Sequence, residues 1–181
     1  MPIFALQPHP STPCSFVMEV TARVDRDTDG ALRCVYETRG DIARLRIPPT
    51  TEPVRTDGLW RHTCYEIFVR SPGSDIYDEF NFSPSGAWAA YRFERYRSGM
   101  VELELGQPPR IACERRDDRL TVSASAGASD CPGSPLQIAV SAVLEDQDGR
   151  ICYWALRHAE GKPDFHHAAG FAAVLAASRQ A

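Results

Sequence analysis

The stretch LWRHTCYEIFVR, residues 59 to 70, decides the class of the fold. In its second half Tyr65, Ile67 and Val69 alternate with Cys64, Glu66, Phe68 and Arg70. Side chains of a strand point alternately to the two faces of a sheet. Tyr65, Ile67 and Val69 therefore share one face, and Glu66 lies on the other between Cys64 and Phe68. The run is apolar enough for a central strand, yet it carries a carboxylate six residues after Trp60. That second face is either a solvated surface or one built to hold a ligand.

The same period of two recurs along the chain. SFVMEVTARV, ALRCVYET, DIARLRI, IYDEFNFS and GAWAAYRFERY read as strands, as do RIACERR, RLTVSASA, PLQIAVSAVLED, RICYWALR and GFAAVLAA. Helical periodicity is hard to find. With turn signals between them, these runs predict an all-β, antiparallel β-sandwich of roughly ten or eleven strands with little helix. Asp29-Gly30 and Asp148-Gly149 mark hairpin turns, where glycine tolerates positive φ. The predicted core comprises Val20, Tyr65, Ile67, Val69, Phe80, Phe82, Tyr91, Phe93, Val122, Ile138, Val140 and Val143.

Bulk properties narrow the function. The 181 residues fit one domain, residues 1–181, with 1–14 as an extended N-terminal segment. Net charge is −4 and no basic tract occurs, which argues against nucleic acid. No apolar run approaches a membrane span, and the Pro-rich start lacks signal-peptide features, so the expectation is a cytoplasmic protein. Of the six cysteines, Cys34, Cys64, Cys113 and Cys152 lie in apolar strand-like runs and are expected as buried hydrophobes rather than disulfides. DRDTDG, residues 25 to 30, copies half a calcium loop, but Tyr36 stands where the closing Glu belongs; a hairpin turn accounts for it. The five histidines form no chelating pattern, and no metal or cofactor is predicted.

The segment from Trp60 to Arg97 holds the candidate site. Tyr77, Glu79 and Asn81 share a face of one strand, as do Trp88, Ala90, Arg92 and Glu94 of the next. Aligned with the first strand, they gather Glu66, Glu79, Asn81, Arg92 and Trp88 on one face, with Trp60 at its mouth and Arg92 beside Glu66. Carboxylates, amides and a guanidinium fork suit sugar hydroxyls, while aromatic plates suit C–H faces. The alternative at this point is a Glu66–Arg92 cross-strand ion pair on a solvated sheet.

Certain motifs resemble the DOMON-like domains, in the branch similar to family-nine carbohydrate-binding modules. They are Trp60-x5-Glu66-Ile67-Phe68, the run Tyr77 to Gly86, Tyr153-Trp154-Ala155-Leu156, and Lys162-Pro163-Asp164-Phe165-His166. The resemblance covers about residues 15 to 177. It implies a jelly-roll sandwich and a non-catalytic module binding a sugar-like small molecule. Trp60, Glu66, Glu79, Asn81 and Arg92 are then the ligand-binding residues, with Trp154 as a second ring. Some DOMON domains bind haem through Met and His; Met100 and His166 are the residues here, although their spacing does not select them. Two further functions are carried forward: a glycosidase-like enzyme using Glu66 and Glu79, and a protein-interaction sandwich without a small ligand.

Overall fold

Alternation along the sequence becomes twelve strands, joined in antiparallel ladders, in a computed structural model that describes residues 1–27, 30–127 and 135–176. They are β1 Ile3–Pro8, β2 Val17–Arg26, β3 Leu32–Gly40, β4 Cys64–Arg70, β5 Tyr77–Phe82 and β6 Trp88–Phe93. The remainder are β7 Val101–Glu102, β8 Arg110–Arg115, β9 Arg119–Ala126, β10 Leu136–Glu145, β11 Ile151–Ala155 and β12 Ala173–Leu175. Among the described residues the only helical pieces are three 3-10 turns, Ile42–Arg44, Leu59–Arg61 and Ala168–Gly170. None is long and apolar enough to cross a membrane.

The strands run in the order β7-β6-β5-β4-β10-β11-β1-β2-β3-β9-β8. The path curls into two layers, with β1 as the corner. Ile3 to Leu6 pair with β2, while Gln7 and Pro8 pair with β11. The segment expected as merely extended is thus partly a strand that joins the layers. Pro8 has no N–H to donate and sits at the strand's end, where the loss is tolerated. β10 is long enough for two partners on one edge, β12 along Leu136 to Ile138 and β11 along Ser141 to Glu145.

Between the layers lies the main core. Val20, Val24, Tyr36 and Val122 pack there with Tyr65, Ile67, Phe80 and Ile138. All twelve predicted core residues are buried. The Tyr36 and Tyr65 rings meet at a tilt with centroids 4.9 Å apart, and the Tyr65 hydroxyl shares a hydrogen bond with that of Thr38 at 2.7 Å. Tyr65→Phe keeps the ring but strands the fully buried Thr38 hydroxyl. It is expected to cost about 1 to 2 kcal/mol in urea denaturation; an unchanged midpoint would mean the bond contributes nothing.

The strands of the second layer are covered on both faces. β4 is buried along its length except at Arg70, and β5 is buried throughout. Period two predicts one wet face for a half-buried antiparallel strand. Here Phe68, Tyr77, Tyr91, Phe93 and Phe171 form a second apolar cluster on the outer face, with Leu59 and Phe165 packed against it. The cover comes from the segment after β11 and the loop before β4.

Two local expectations are corrected and one short strand was not expected. DIARLRI is no strand: Ile42 and Leu45, three residues apart, are both buried, which suits a 3-10 turn, and Leu45 then bridges Asp146. β7, only two residues long, has too little alternation to read. Cys113 is exposed on the edge strand β8, unlike buried Cys34, Cys64 and Cys152; these four and Cys14 are free thiols. Cys131 and Asp29 lie outside the described residues. Around the latter, Asp27 accepts from the Ala31 N–H, so the acidic run closes the β2–β3 hairpin.

Candidate functional site

Cross-strand partners share a face, so register decides the composition of the site. Glu66 lies opposite Asn81 on β5 and opposite Ser141 on β10. Glu79 lies opposite Tyr91 on β6. The outer face therefore carries Glu66, Glu79 and Asn81 with Tyr91 and Phe93. Across β10 and β11 it adds Val143 and its partner Tyr153.

A cavity of about 600 Å³ opens on this face. Trp60, Glu66, Glu79, Tyr91, Arg97 and Tyr153 line it, joined by Phe93, Met100, Val143 and the 162–166 turn. Trp60 stands in the Leu59–Arg61 turn, 38% exposed and edge-on to Tyr91 at 6.0 Å. The loop is tied down from β6: the Tyr91 hydroxyl donates to Asp57, and the Arg55 guanidinium lies 5.3 Å from the Tyr91 ring. On the other side His166 meets the rings of Phe68 and Phe93 edge-on, at 5.2 and 5.0 Å.

The sequence-derived residues divide. Trp60, Glu66 and Glu79 meet at the cavity. Asn81 is fully buried beneath it and donates to Glu79 Oε1 at 2.7 Å. Arg92, Trp88 and Trp154 do not belong to this face, and the expectation for all three is corrected; Trp88 is opposite Phe82 and packs in the core between the layers. Arg92 pairs across strands with Asp78, and its fork donates to both Asp78 oxygens at 2.7 and 2.9 Å. Trp154 is opposite Ala142 and packs in the core between the layers.

The physical reason is turn parity. The β5–β6 loop places Phe82 opposite Trp88, which aligns odd residues with odd. The alignment expected from alternation alone needs a one-residue slip, and a slip of one moves every side chain to the other face. The same parity puts Tyr153, not Trp154, on the cavity.

Arg97, Tyr91, Phe93, Tyr153 and Phe165 were missed by reasoning from sequence. Tyr91 and Phe93 were legible as core but not as wall, and Tyr153 and Phe165 stood only in the motifs of the resemblance, without a role. Arg97 follows the last strand position of β6 in a turn, where alternation gives no direction. Among the described residues it is the one non-glycine with positive φ, +50°. Such a conformation is strained for a residue with a Cβ. Contacts hold it there: Arg97 Nη2 pairs with Asp164 at 2.8 Å, and its backbone N–H donates to the Tyr77 hydroxyl.

Electrostatics at the floor are set by burial. Glu66 is 2% exposed. Its Oε2 accepts from the Ser141 hydroxyl at 3.2 Å, while Oε1 has no partner. Burial, and then the charge of Glu79, hold the Glu66 carboxyl well above its ordinary range. Burial also pushes Glu79 up to about 7, against the pull of Asn81 and Arg97. His166 is driven down to about 4 by burial and by Arg97. Its Nδ1 is bonded to the Tyr77 hydroxyl at 2.9 Å. The same hydroxyl accepts from the Arg97 backbone N–H. Nε2 faces Glu79 Oε2 at 3.8 Å, beyond hydrogen-bond length.

No protein-family model matches the sequence, and the search of curated proteins finds no relative. The fold does have solved counterparts. A candidate carbohydrate-binding protein from Bacteroides uniformis superposes with a TM-score of 0.61 at 14% identity, over 95% of this chain and 85% of its own. A family 9 carbohydrate-binding module from Caldicellulosiruptor kristjanssonii, in complex with glucose, gives 0.54 at 13% identity, over 94% and 81%. A family 9 module from that organism with cellotriose gives 0.50 at 14%, over 87% and 75%. At this identity the likeness is one of fold: the chain is a β-sandwich of the kind seen in these modules.

Proposed function

We propose that this chain is a non-catalytic sugar-binding domain of DOMON-like type, with its ligand held against Trp60 and over Glu66 and Glu79. One observation carries the reading: an exposed tryptophan and two carboxyl groups line the same concave site on one sheet face. A ring offers a flat apolar plate to sugar C–H groups, and carboxyl oxygens accept from hydroxyls. Asn81 belongs to the site indirectly, by fixing Glu79. Tyr153 is the second ring in place of Trp154. That similar folds hold glucose and cellotriose supports the reading.

The test is calorimetric titration with mono- and cello-oligosaccharides. Trp60→Ala is expected to weaken binding about tenfold, as loss of one stacking contact would. Stability should barely change, because the ring is already well exposed. Absence of binding to any sugar by a folded protein would remove the proposal.

The glycosidase reading has one feature in its favour, two cavity carboxyls on neighbouring strands. Hydrolysis by that route needs one carboxyl protonated and the other kept ionised. Burial raises both here. Turnover of aryl glycosides that disappears in Glu79→Gln would reverse this preference.

A further inference from the structure

The cavity floor is rich in acceptors and short of cations. Of the four carboxyl oxygens of Glu66 and Glu79, only two accept a hydrogen bond at normal length, from Ser141 and Asn81. Glu66 Oε1 is buried without a partner in a residue that lines the cavity. As diagonal neighbours on adjacent strands the two residues lie roughly 7 Å apart at their backbones. A cation of a few ångströms fits between such groups and can reach both.

Among the described residues, no cationic side chain is paired with the Glu66 or Glu79 carboxyl at normal hydrogen-bond length. Arg97 lines the cavity, but its guanidinium is committed to Asp164 through Nε and Nη2 at 3.3 and 2.8 Å. Asp164 in turn also accepts from the Tyr96 hydroxyl at 2.6 Å. His166 turns only a neutral ring edge toward Glu79. Lys162 also lines the cavity, from an exposed position on the 162–166 turn. The remaining titratable groups on the lining, Tyr91 and Tyr153, have phenols raised by burial and carry no charge near neutrality. Buried carboxylates are ordinarily paired. Ring faces also carry negative potential, so the walls of Trp60, Tyr91, Phe93 and Tyr153 favour a cation as well.

We propose that the ligand of this cavity is an amino sugar, its ammonium group seated between Glu66 and Glu79 and its ring against Trp60. The proposal rests on the sugar-binding reading above and specifies the substrate class. Ammonium N–H groups would satisfy the open oxygen of Glu66 and that of Glu79. Both carboxyls are then ionised in the complex, so binding releases a proton to solvent wherever the free pair still holds one.

Titration of the whole chain at pH 7 with glucosamine, glucose and N-acetylglucosamine separates the cases. The third probe keeps the ring and cancels the charge. Glucosamine is expected to bind about ten- to a hundredfold more tightly than either neutral sugar, the ratio a charged hydrogen bond gives. Its apparent enthalpy should change between phosphate and Tris buffers, reporting proton release. Glu66→Gln and Glu79→Gln keep the shape, and each should bring the three probes to within about threefold of one another. Circular dichroism confirms the fold of each variant. If the neutral sugars bind as tightly as glucosamine, and Trp60→Ala weakens them, the ammonium site is refuted and the sugar site stands. If the glucosamine preference survives both Gln variants, the ammonium lies elsewhere and the proposal falls. If no probe binds, the ammonium site is refuted, and the sugar reading falls with it only when the cello-oligosaccharides fail to bind as well.

Discussion

Arg92→Met is expected to destabilise the protein by roughly 2 to 4 kcal/mol while leaving sugar affinity unchanged. Asp78 is 4% exposed, and both its oxygens accept from the Arg92 fork. Removing one member of a buried pair leaves the other charge desolvated, at a cost of about 3 to 5 kcal/mol. Arg92 keeps a third of its side chain in solvent, which lowers the figure. Met fills most of the same volume, so packing loss is small. The pair sits on the face of β5 and β6 turned away from the cavity, hence the unchanged affinity. Urea denaturation and titration on the same preparation give both numbers. A stable variant with lost binding would place Arg92 at the ligand and overturn the observed register.

Glu79→Gln is expected to stabilise the protein above neutrality, by about 3 kcal/mol at pH 8 to 9, and to make no difference near pH 4. The folded value of about 7 stands above the ordinary 4.5. Between the two, the folded state holds a proton that the unfolded chain has lost. Stability from this group is therefore fully present below about pH 4.5 and declines as pH rises through about 7. At roughly 1.4 kcal/mol per pKa unit the decline comes to about 3 kcal/mol. Gln removes the charge yet preserves an oxygen for the Asn81 amide. The carboxyls held low elsewhere, Glu37 and Asp164, act at acid pH, but they are common to both proteins and cancel in the difference. The measurement is a set of urea midpoints from pH 4 to 9. Parallel curves for the two proteins would mean that Glu79 is as well solvated folded as unfolded.

A site that costs stability when it is empty is what a binding function leaves behind. Two neighbouring acids on adjacent strands, both strands covered on both faces, oppose folding above neutrality. A ligand that supplies donors or a positive charge offsets that cost. The penalty and the affinity therefore reside in the same two residues, and the Gln variants should raise stability while they weaken recognition.

The share of this protein legible in its sequence follows from what each signal encodes. Period two is local, and it marked β4, β5 and β6 as strands and every predicted core position as buried. It also put Glu66, Glu79 and Asn81 together, because two adjacent strands needed only one turn to be judged. The Trp60 spacing brought a ring to the same mouth. Arg92 and Trp154 failed for one reason: alternation says which residues share a face but not which face meets the neighbour's. A single residue in the Ser83–Ala87 turn decides that parity, and it exchanged Arg92 for Tyr91. The corresponding register across β10 and β11 exchanged Trp154 for Tyr153. Arg97, Phe165 and His166 belong to turns, where no period operates and position comes from distant partners such as Asp164 and Tyr77. Burial of Glu66 was likewise beyond the sequence. It depends on the segment after β11 folding back over the outer face of β4, a contact about a hundred residues away along the chain, and that cover turns a carboxylate on a strand into the floor of a cavity.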